Sequence, residues 1–493
     1  MISIVVMTAT VMQVLDTTIA NVALPHMQGS LGATQDQIAW VLTSYLVAAA
    51  ISTPITGWLA SQLGRTRLFT IALSGFTIAS MLCGIATTLP EMVIFRLLQG
   101  IFGAALVPLS QATLLDTYPR YEVGRAMGMF SMGVMVGPIL GPIVGGYLTD
   151  QLTWRWCFYI NVPLGIVTIL GALAFLPETS RTVGRKLDWM GFAFLSLAVA
   201  SFQLALDRGE QKGWLQSPEI MIEAALMLFG LYMFVAHSAT TRRPFFDVRL
   251  FKDRTFLLSN AIMTLIMLVY YGSMALTPQM LQGELNYPVL TAGLVMAPRG
   301  LGTIAAILLV GRVTHITGPK LLIGLGLVLS ALSLYLMSGW SLDVSERDIV
   351  LLGLLQGSSI GFINVPLTTN AFTTLDEDLR TEASGFYNLM RNLGSAAGIS
   401  ITSAILVRSA QVNHGYLTEY MTPFSHNMPT MPGLTGAAAL AALNANLTLQ
   451  ATMVAYINVF MILAALCLLI LPVVLFLRVP RMPMSGEHVV VGE

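Results

Sequence analysis

The chain has 493 residues, of which 55% are hydrophobic and only 10% are charged, whereas an ordinary soluble domain is about 25% charged. Lys and Arg together equal Asp and Glu in number, so net charge gives no support for a nucleic-acid partner. Apolar runs of about 20 residues, each long enough to cross about 30 Å of hydrocarbon, recur along the whole chain. The composition therefore predicts an all-α integral membrane protein and excludes a sizeable soluble domain.

The apolar runs, divided by polar and Gly/Pro-rich breaks, predict fourteen transmembrane spans. In chain order the predicted spans are 2–24, 38–60, 67–88, 91–114, 125–148, 158–176, 189–206, 218–237, 257–281, 289–312, 319–340, 349–374, 384–408 and 450–477. The stretch 409–449 is predicted to lie outside the membrane, with a short interfacial helix in its later, Ala/Leu-rich part.

The first span carries a carboxylate, Asp16, well inside an apolar helix. A charge at this depth is costly and persists where it faces protein or water, so Asp16 is a candidate for proton loading or substrate binding. Gln13 and Asn21 share the helical face of Asp16 and are candidate cavity-lining residues. A permanent ion pair is the structural alternative for Asp16.

Three arginines also fall inside predicted spans: Arg96, Arg299 and Arg391. We expect each to face the protein interior and to pair with a carboxylate or a helix carbonyl, either as part of coupling or as a fixed structural contact. Gln99 shares a helical face with Arg96, and Asn388 shares one with Arg391, so both amides are candidate cavity-lining residues.

Other spans contribute aromatic and small residues. Tyr45, Tyr270 and Tyr271 are candidate cavity-lining residues that could stack on aromatic cations. In the fifth span, glycines at intervals of four allow close helix approach, while prolines free carbonyls and permit a bend. The alternative is ordinary packing of membrane helices. The residues of this motif are Gly137, Pro138, Gly141, Pro142, Gly145 and Gly146.

Basic residues are concentrated in the loops on the face where the first span begins, which predicts that both termini are cytoplasmic.

An internal repeat at an offset of about 257 residues relates spans 1–6 to spans 9–14, for example Leu97–Gly100 to Leu354–Gly357. Parallel six-helix halves are a transporter architecture that holds substrate between the halves. The predicted domains are an N-terminal half 1–180, two linker spans with a loop 181–250, a C-terminal half 251–480 with the loop 409–449, and a tail 481–493.

The sequence contains no Walker A motif and no paired Cys/His set. An ATP-driven pump, a metal site and an enzyme are therefore not predicted. The three cysteines, Cys83, Cys157 and Cys467, are interpreted as small apolar core residues. No cofactor is expected, and a proton is the expected coupling ion.

Several motifs together resemble the major facilitator superfamily over essentially the whole chain. The resemblance is to its fourteen-span drug:proton antiporters of the EmrB and QacA type, and it is closer to EmrB. Leu15–Pro25 resembles the signature of the first span, and Gly57, Gly64 and Arg65 belong to a stretch similar to the loop motif between spans 2 and 3. Arg96 with Gln99 resembles the span 4 motif, and the span 5 glycines and prolines resemble the antiporter motif.

The resemblance implies proton-coupled multidrug efflux of hydrophobic or amphipathic compounds by alternating access in a bacterial inner membrane. It also implies a periplasmic adaptor of the EmrA type and an outer-membrane channel of the TolC type as partners. The alternatives are an exporter of one metabolite, such as a fatty acid or siderophore, and a receptor that does not transport. One residue departs from the family pattern: Ser61 stands where the loop motif usually carries an Asp.

Overall fold

The computed structural model describes residues 1–119, 122–177, 187–242, 244–419 and 436–477, and within these ranges the regular structure is entirely helical. The helices are α1 (Ile2–Ser30), α2 (Gln35–Ile38), α3 (Trp40–Ser52), α4 (Thr56–Leu63), α5 (Arg65–Ile85), α6 (Leu89–Gly103), α7 (Leu106–Thr117), α8 (Val123–Gln151), α9 (Trp156–Tyr159), α10 (Asn161–Phe175), α11 (Trp189–Lys212), α12 (Pro218–Thr240), α13 (Val248–Lys252), α14 (Arg254–Gly283), α15 (Val289–Thr317), α16 (Pro319–Met337), α17 (Glu346–Thr373), α18 (Arg380–Glu419) and α19 (Gly436–Leu475). Two short 3-10 helices, Trp214–Gln216 and Glu377–Leu379, complete the described elements.

Within the described residues, twelve helices are long and apolar enough to cross a membrane, or thirteen if the bent pair α3–α4 forms one span. The remaining predicted span, 125–148, falls on α8, a helix of 29 residues. The apolar window of α12 is only 17% buried, so most of its side chains face outward, as expected toward lipid. A multi-pass membrane protein is confirmed, while the count of fourteen spans stays a prediction.

The helices pack as two similar halves. In the first half α1 packs against α8 and α3 against α6, while in the second α14 packs against α18 and α15 against α17. The inserted helices α11 and α12 pack on each other, and α11 also lies against α3 of the first half and α18 of the second. The predicted fold class, two six-helix halves with two inserted helices, fits this arrangement, and the domain boundaries themselves stay a prediction.

Matching glycines end matching helices in the two halves. Gly64 ends α4 with a φ of 85°, and Gly318 ends α15 with a φ of 76°. A side chain strains the backbone at such positive φ values, so glycine is the residue that allows a sharp turn into the next helix. Both turns lie on the membrane face at which α1 begins. The first residues of α5 and α18, which are arginines, lie on the same face, and we call it the basic face.

Two regions differ from the sequence-based expectation. The predicted span 38–60 is broken into α3 and α4, which meet at an angle of 58°. Pro54 lies at this break, and its ring removes a backbone donor and clashes with the preceding turn. The continuous span was therefore the wrong expectation for this segment.

The stretch 409–449 is also more helical than predicted. α18 continues to Glu419 and α19 begins at Gly436, so only 420–435 lies outside the described residues. Polar side chains join the two helices at the predicted membrane boundary: His414 contacts Asn444 at 3.1 Å, and Nδ2 of Asn413 donates to the carbonyl of Ala451 at 3.3 Å. These bonds satisfy polar groups between the helices, which the apolar pattern did not reveal.

Candidate functional site

Asp16 lies in a closed polar cluster inside the first half. Its Oδ2 accepts a hydrogen bond from Nη1 of Arg96 at 2.7 Å, and its Oδ1 accepts from Nε2 of Gln99 at 2.9 Å and Nδ2 of Asn161 at 2.7 Å. Asp16 is 1% exposed and Arg96 is fully buried. Three helices, α1, α6 and α10, therefore meet at one carboxylate.

The guanidinium of Arg96 has further neutral contacts. Nη1 also donates to Oε1 of Gln99 at 2.8 Å, and Nε donates to the carbonyl of Val41 at 3.1 Å. The guanidinium carbon lies 4.8 Å from the ring centroid of Tyr45 and 5.3 Å from that of Phe158. Its Nη2 is buried and has no hydrogen-bond partner in the part of the chain that the structure describes. The cation can therefore be held by aromatic rings as well as by the carboxylate.

The cluster extends through neutral residues. Nδ2 of Asn161 donates to Oγ of Ser80 at 2.9 Å, and Nε2 of Gln13 donates to the hydroxyl of Tyr45 at 3.1 Å. The side chain of Asn21 is exposed and does not join this network. Helical periodicity put Asn21 on the face of Asp16, but Asn21 lies more than one turn further along α1.

The second half contains a related cluster around Arg299, with no carboxylate in contact. Nη2 of Arg299 donates to Oγ of Ser273 at 3.2 Å and also contacts Oε1 of Gln356. Nε2 of Gln356 donates to Oγ of Ser273 at 2.8 Å. The guanidinium lies 5.4 Å from the ring centroid of Tyr270, and its Nε has no hydrogen-bond partner among the described residues. We expected a carboxylate or a helix carbonyl as partner, and the structure provides side-chain oxygens instead.

Arg391 lies on α18 within electrostatic range of two tyrosines. The phenolic groups of Tyr271 and Tyr387 are its electrostatic neighbours, and no ion pair to Arg391 occurs among the described residues. Asn388, one turn earlier, is buried, and its Nδ2 donates to Oε1 of Gln111 on α7 at 2.6 Å. Arg391 and Asn388 therefore have different surroundings despite sharing a helical face.

The internal repeat relates the two clusters. At the offset of about 257, Asp16 corresponds to Ser273 and Gln99 to Gln356. The arginines do not correspond, because Arg96 comes from α6 whereas Arg299 comes from α15. Sequence reasoning missed Ser273 and Gln356, which this offset would have found. It also missed the contact of Asn161 with Asp16.

The glycines of the fifth predicted span lie against α1. A Cβ on Gly137 would lie 2.5 Å from Cγ1 of Val14, and a Cβ on Gly141 would overlap Thr18. Oγ1 of Thr18 donates to the carbonyl of Gly137 at 3.0 Å. Gly145 is also close to α1, whereas a Cβ on Gly146 would meet nothing within 4 Å. The side chains of Pro138 and Pro142 lie outside the described part of the chain.

Asp116, at the end of α7, joins the two halves on the basic face. It pairs with Arg65 of the first half, and its Oδ1 accepts from Nη1 of Arg380 of the second half at 3.0 Å. Oγ of Ser61 donates to the carbonyl of Trp58 at 2.7 Å. Arg65 therefore has a carboxylate partner although the loop motif lacks its usual Asp.

Further contacts reinforce this junction. Oγ of Ser384 donates to Oε1 of Gln111 at 2.8 Å and lies 3.1 Å from the carbonyl oxygen of Pro108. A Cβ on Gly57 would lie 3.0 Å from Cα of Glu382, so the loop motif glycine permits close backbone approach between the halves. The backbone N–H of Asp247, just before α13, donates to Oε1 of Glu382. The two halves are therefore in contact at the basic face.

We predict that Asp116→Asn loosens this junction, because Arg65 and Arg380 lose their shared carboxylate. A cysteine introduced as Ser384→Cys, at a fully buried position of the contact, should react about fivefold faster with an impermeant maleimide applied to the basic face, equivalent to about 1 kcal/mol. Asp376→Asn is the matched control, since Asp376 is an exposed carboxylate on the same face that pairs only loosely with Arg249, at 3.6 Å. Equal labelling rates in the two variants would contradict a joining role for Asp116.

Two six-helix halves with charged side chains held between their helices define a membrane transport protein. The sequence-family model of the Major Facilitator Superfamily matches residues 6–399 of this chain. The chain belongs to this superfamily.

Curated relatives match nearly the whole chain. The multidrug export protein EmrB of Escherichia coli (strain K12) is 34% identical over 484 residues, which cover 96% of this chain and 94% of the relative. The fatty acid resistance protein FarB of Neisseria gonorrhoeae is 33% identical over 487 residues, covering 97% of this chain and 96% of the relative. The crystal structure of the human organic anion transporter MFSD10 is similar in fold, with a TM-score of 0.62 and 15% identity, over 94% of this chain and 98% of the other.

Proposed function

We propose that this protein exports hydrophobic or amphipathic compounds across a membrane in exchange for protons, by alternating access between its two halves. The observation that carries the proposal is the buried ion pair of Asp16 and Arg96, in which the carboxylate is 1% exposed. Intramembrane carboxylates mark proton relays and substrate paths. The similarity to EmrB, a multidrug export protein, supports the choice of toxic compounds as substrates. The proposed transport makes and breaks no bond in the substrate.

The contacts of Asp16 give a physical route to coupling. Its ionised carboxylate accepts from donors on α6 and α10. Protonation removes the charge that attracts Arg96 and reduces the acceptor capacity of Asp16, so the bonds between α1 and these helices weaken. Arg96 can stay over the rings of Tyr45 and Phe158 when its ion pair is released. Proton binding thereby favours a different packing of α1 within the first half.

We further propose an inner-membrane location with the basic face in the cytoplasm. The concentration of Lys and Arg in the loops of that face supports this orientation. The resemblance to EmrB-type pumps supports a periplasmic adaptor and an outer-membrane channel as partners. A protein that joins such an assembly would release substrate on the face opposite to the basic face.

A second candidate function is export of one defined compound class. The similarity to FarB, a fatty acid resistance protein, favours a fatty acid in that case. Comparing the range of transported compounds separates the two functions, because a multidrug exporter moves chemically unrelated compounds.

The decisive experiment uses the purified full chain in proteoliposomes. With a proton gradient imposed, we expect export of at least two of three probes: ethidium, Nile red and dansyl-labelled undecanoic acid. A protonophore should abolish export, and ATP should have no effect. Export that requires ATP, or no export of any probe from vesicles with verified insertion, would contradict the proposed function. Export of the fatty acid alone would favour the second candidate.

A further inference from the structure

The second half carries positive charge in the middle of its helices, where the sequence places no Asp or Glu. The acidic residues of α14 to α19 lie only at helix ends: Glu346 and Asp348 in the first turn of α17, and Glu382 in the first turn and Glu419 at the last residue of α18. Arg299 and Arg391, in contrast, each lie more than two turns from the ends of their helices. The first half differs, because Arg96 is paired with Asp16 at 2.7 Å.

Among the described residues, Arg299 is held by neutral groups only. Its described hydrogen-bond partners are the side-chain oxygens of Ser273 and Gln356, and Nε has no partner although Arg299 is only 6% exposed. Arginine keeps its charge under all ordinary conditions in proteins. Burying a cation costs free energy unless it is paired, so an uncompensated guanidinium at this depth favours an anionic ligand.

Tyrosine rings lie near both cations. Arg299 lies 5.4 Å from the ring centroid of Tyr270, and the rings of Tyr270 and Tyr271 contact edge to face at 5.5 Å. Tyr271 in turn neighbours Arg391, which also neighbours Tyr387. We call Arg299, Tyr270, Tyr271, Arg391 and Tyr387 the cationic strip. Arg391 is only partly buried, so its end of the strip is the more accessible one.

The repeat strengthens the contrast between the halves. The position of Asp16 in the first half is taken by Ser273 in the second, while glutamines remain at both Gln99 and Gln356. The polar cluster is thus kept in both halves, but the second lacks the carboxylate that would neutralise its arginine. A role in holding the helices together would explain why glutamines and a serine lie in these clusters. Such a role does not explain why the second cluster has a net positive charge.

We propose that the cationic strip binds the anionic head group of a transported amphipathic acid, such as a carboxylate or sulfonate on an apolar body. The inference rests on the proposed export function and names a substrate class for it. The guanidinium fork matches the two oxygens of a carboxylate, and the tyrosine rings contact the adjoining apolar part. The two halves then have different roles: Asp16 of the first half exchanges the proton, and the cationic strip of the second half binds the acid.

The test measures binding to the purified full chain in detergent. Dansyl-labelled undecanoic acid is compared with its own methyl ester, which has the same body without the charge. We expect the acid to bind at least tenfold more tightly than the ester. Arg299→Gln and Arg391→Gln should each weaken binding of the acid at least tenfold and leave the ester unchanged. Arg391→Lys keeps the charge but not the fork, so it should weaken binding of the acid less than Arg391→Gln does.

Arg408→Gln is the matched control, because Arg408 is an exposed cation on the same helix as Arg391. It should leave binding of both compounds unchanged. Equal affinity of the wild-type protein for acid and ester would overturn the proposal. So would Gln variants that lose acid and ester equally, since a purely structural role predicts that pattern.

Transport in the same proteoliposomes separates this inference from the proposed function. If ethidium or Nile red is exported with the proton gradient and the acid has no advantage over its ester, the cationic strip is not an anion site and the export function stands. If no probe is exported, the export function itself is contradicted. Each variant should elute as a single symmetric peak in gel filtration. This result, together with binding by the Lys variant of Arg391, distinguishes a loss of binding from a loss of folding.

Discussion

Asp16→Asn is expected to reduce proton-driven efflux by about 100-fold or more, the lower end of what a positioned proton-transferring group contributes. The amide has nearly the size of the carboxyl group but does not titrate, so it cannot exchange a proton. The substitution also leaves Arg96 buried without its counter-ion, which costs about 3 to 5 kcal/mol. Drug-induced proton release from proteoliposomes and folded yield should therefore both be measured.

A charge-neutral double variant separates coupling from folding. Asp16→Asn combined with Arg96→Gln removes both members of the ion pair, so folded yield should return toward that of the wild-type protein. Proton release should remain absent. Asp16→Glu keeps the charge with a longer reach and should retain part of the activity. Normal proton release from a well-folded Asp16→Asn variant would show that the coupling carboxylate lies elsewhere, with Asp207, which contacts Thr43 on α3, next in line.

Gly137→Ala is expected to disrupt the packing of α8 on α1. The new Cβ would lie 2.5 Å from Cγ1 and 2.8 Å from the carbonyl carbon of Val14, so the two helices must move apart. Overpacking of this kind costs roughly 1 to 3 kcal/mol. The shift also acts on α1 two residues before Asp16, so efflux should fall together with thermal stability.

Gly146→Ala is the matched control on the same helix, because a Cβ there meets nothing within 4 Å. Its efflux should equal that of the wild-type protein, and the higher helix propensity of Ala should leave stability unchanged or slightly raised. The measurements are proton-driven dye efflux and thermal unfolding in detergent. If the two variants have the same efflux and the same thermal stability, the close approach of α8 to α1 is not required for either property.

Hydropathy and charge alone determined much of the architecture. Apolar runs gave helices at every predicted span in the described part of the chain, because the length needed to cross a bilayer is fixed by its thickness. The break at Pro54 and the extension of α18 to Glu419 were the exceptions. The cost of a charge in the membrane likewise singled out Asp16, Arg96, Arg299 and Arg391 before any contact was known.

Only the tertiary structure decided which of these charges are paired. Asp16 and Arg96 are separated by 80 positions in the chain, and Asn161 reaches the same carboxylate from 145 positions away. Periodicity places a residue on a helical face but does not say which helix lies opposite. It therefore gave no indication that Asp116 joins the two halves or that Arg299 has neutral partners. Those contacts depend on the packing of helices far apart in sequence, where side-chain size and glycine positions set which faces meet.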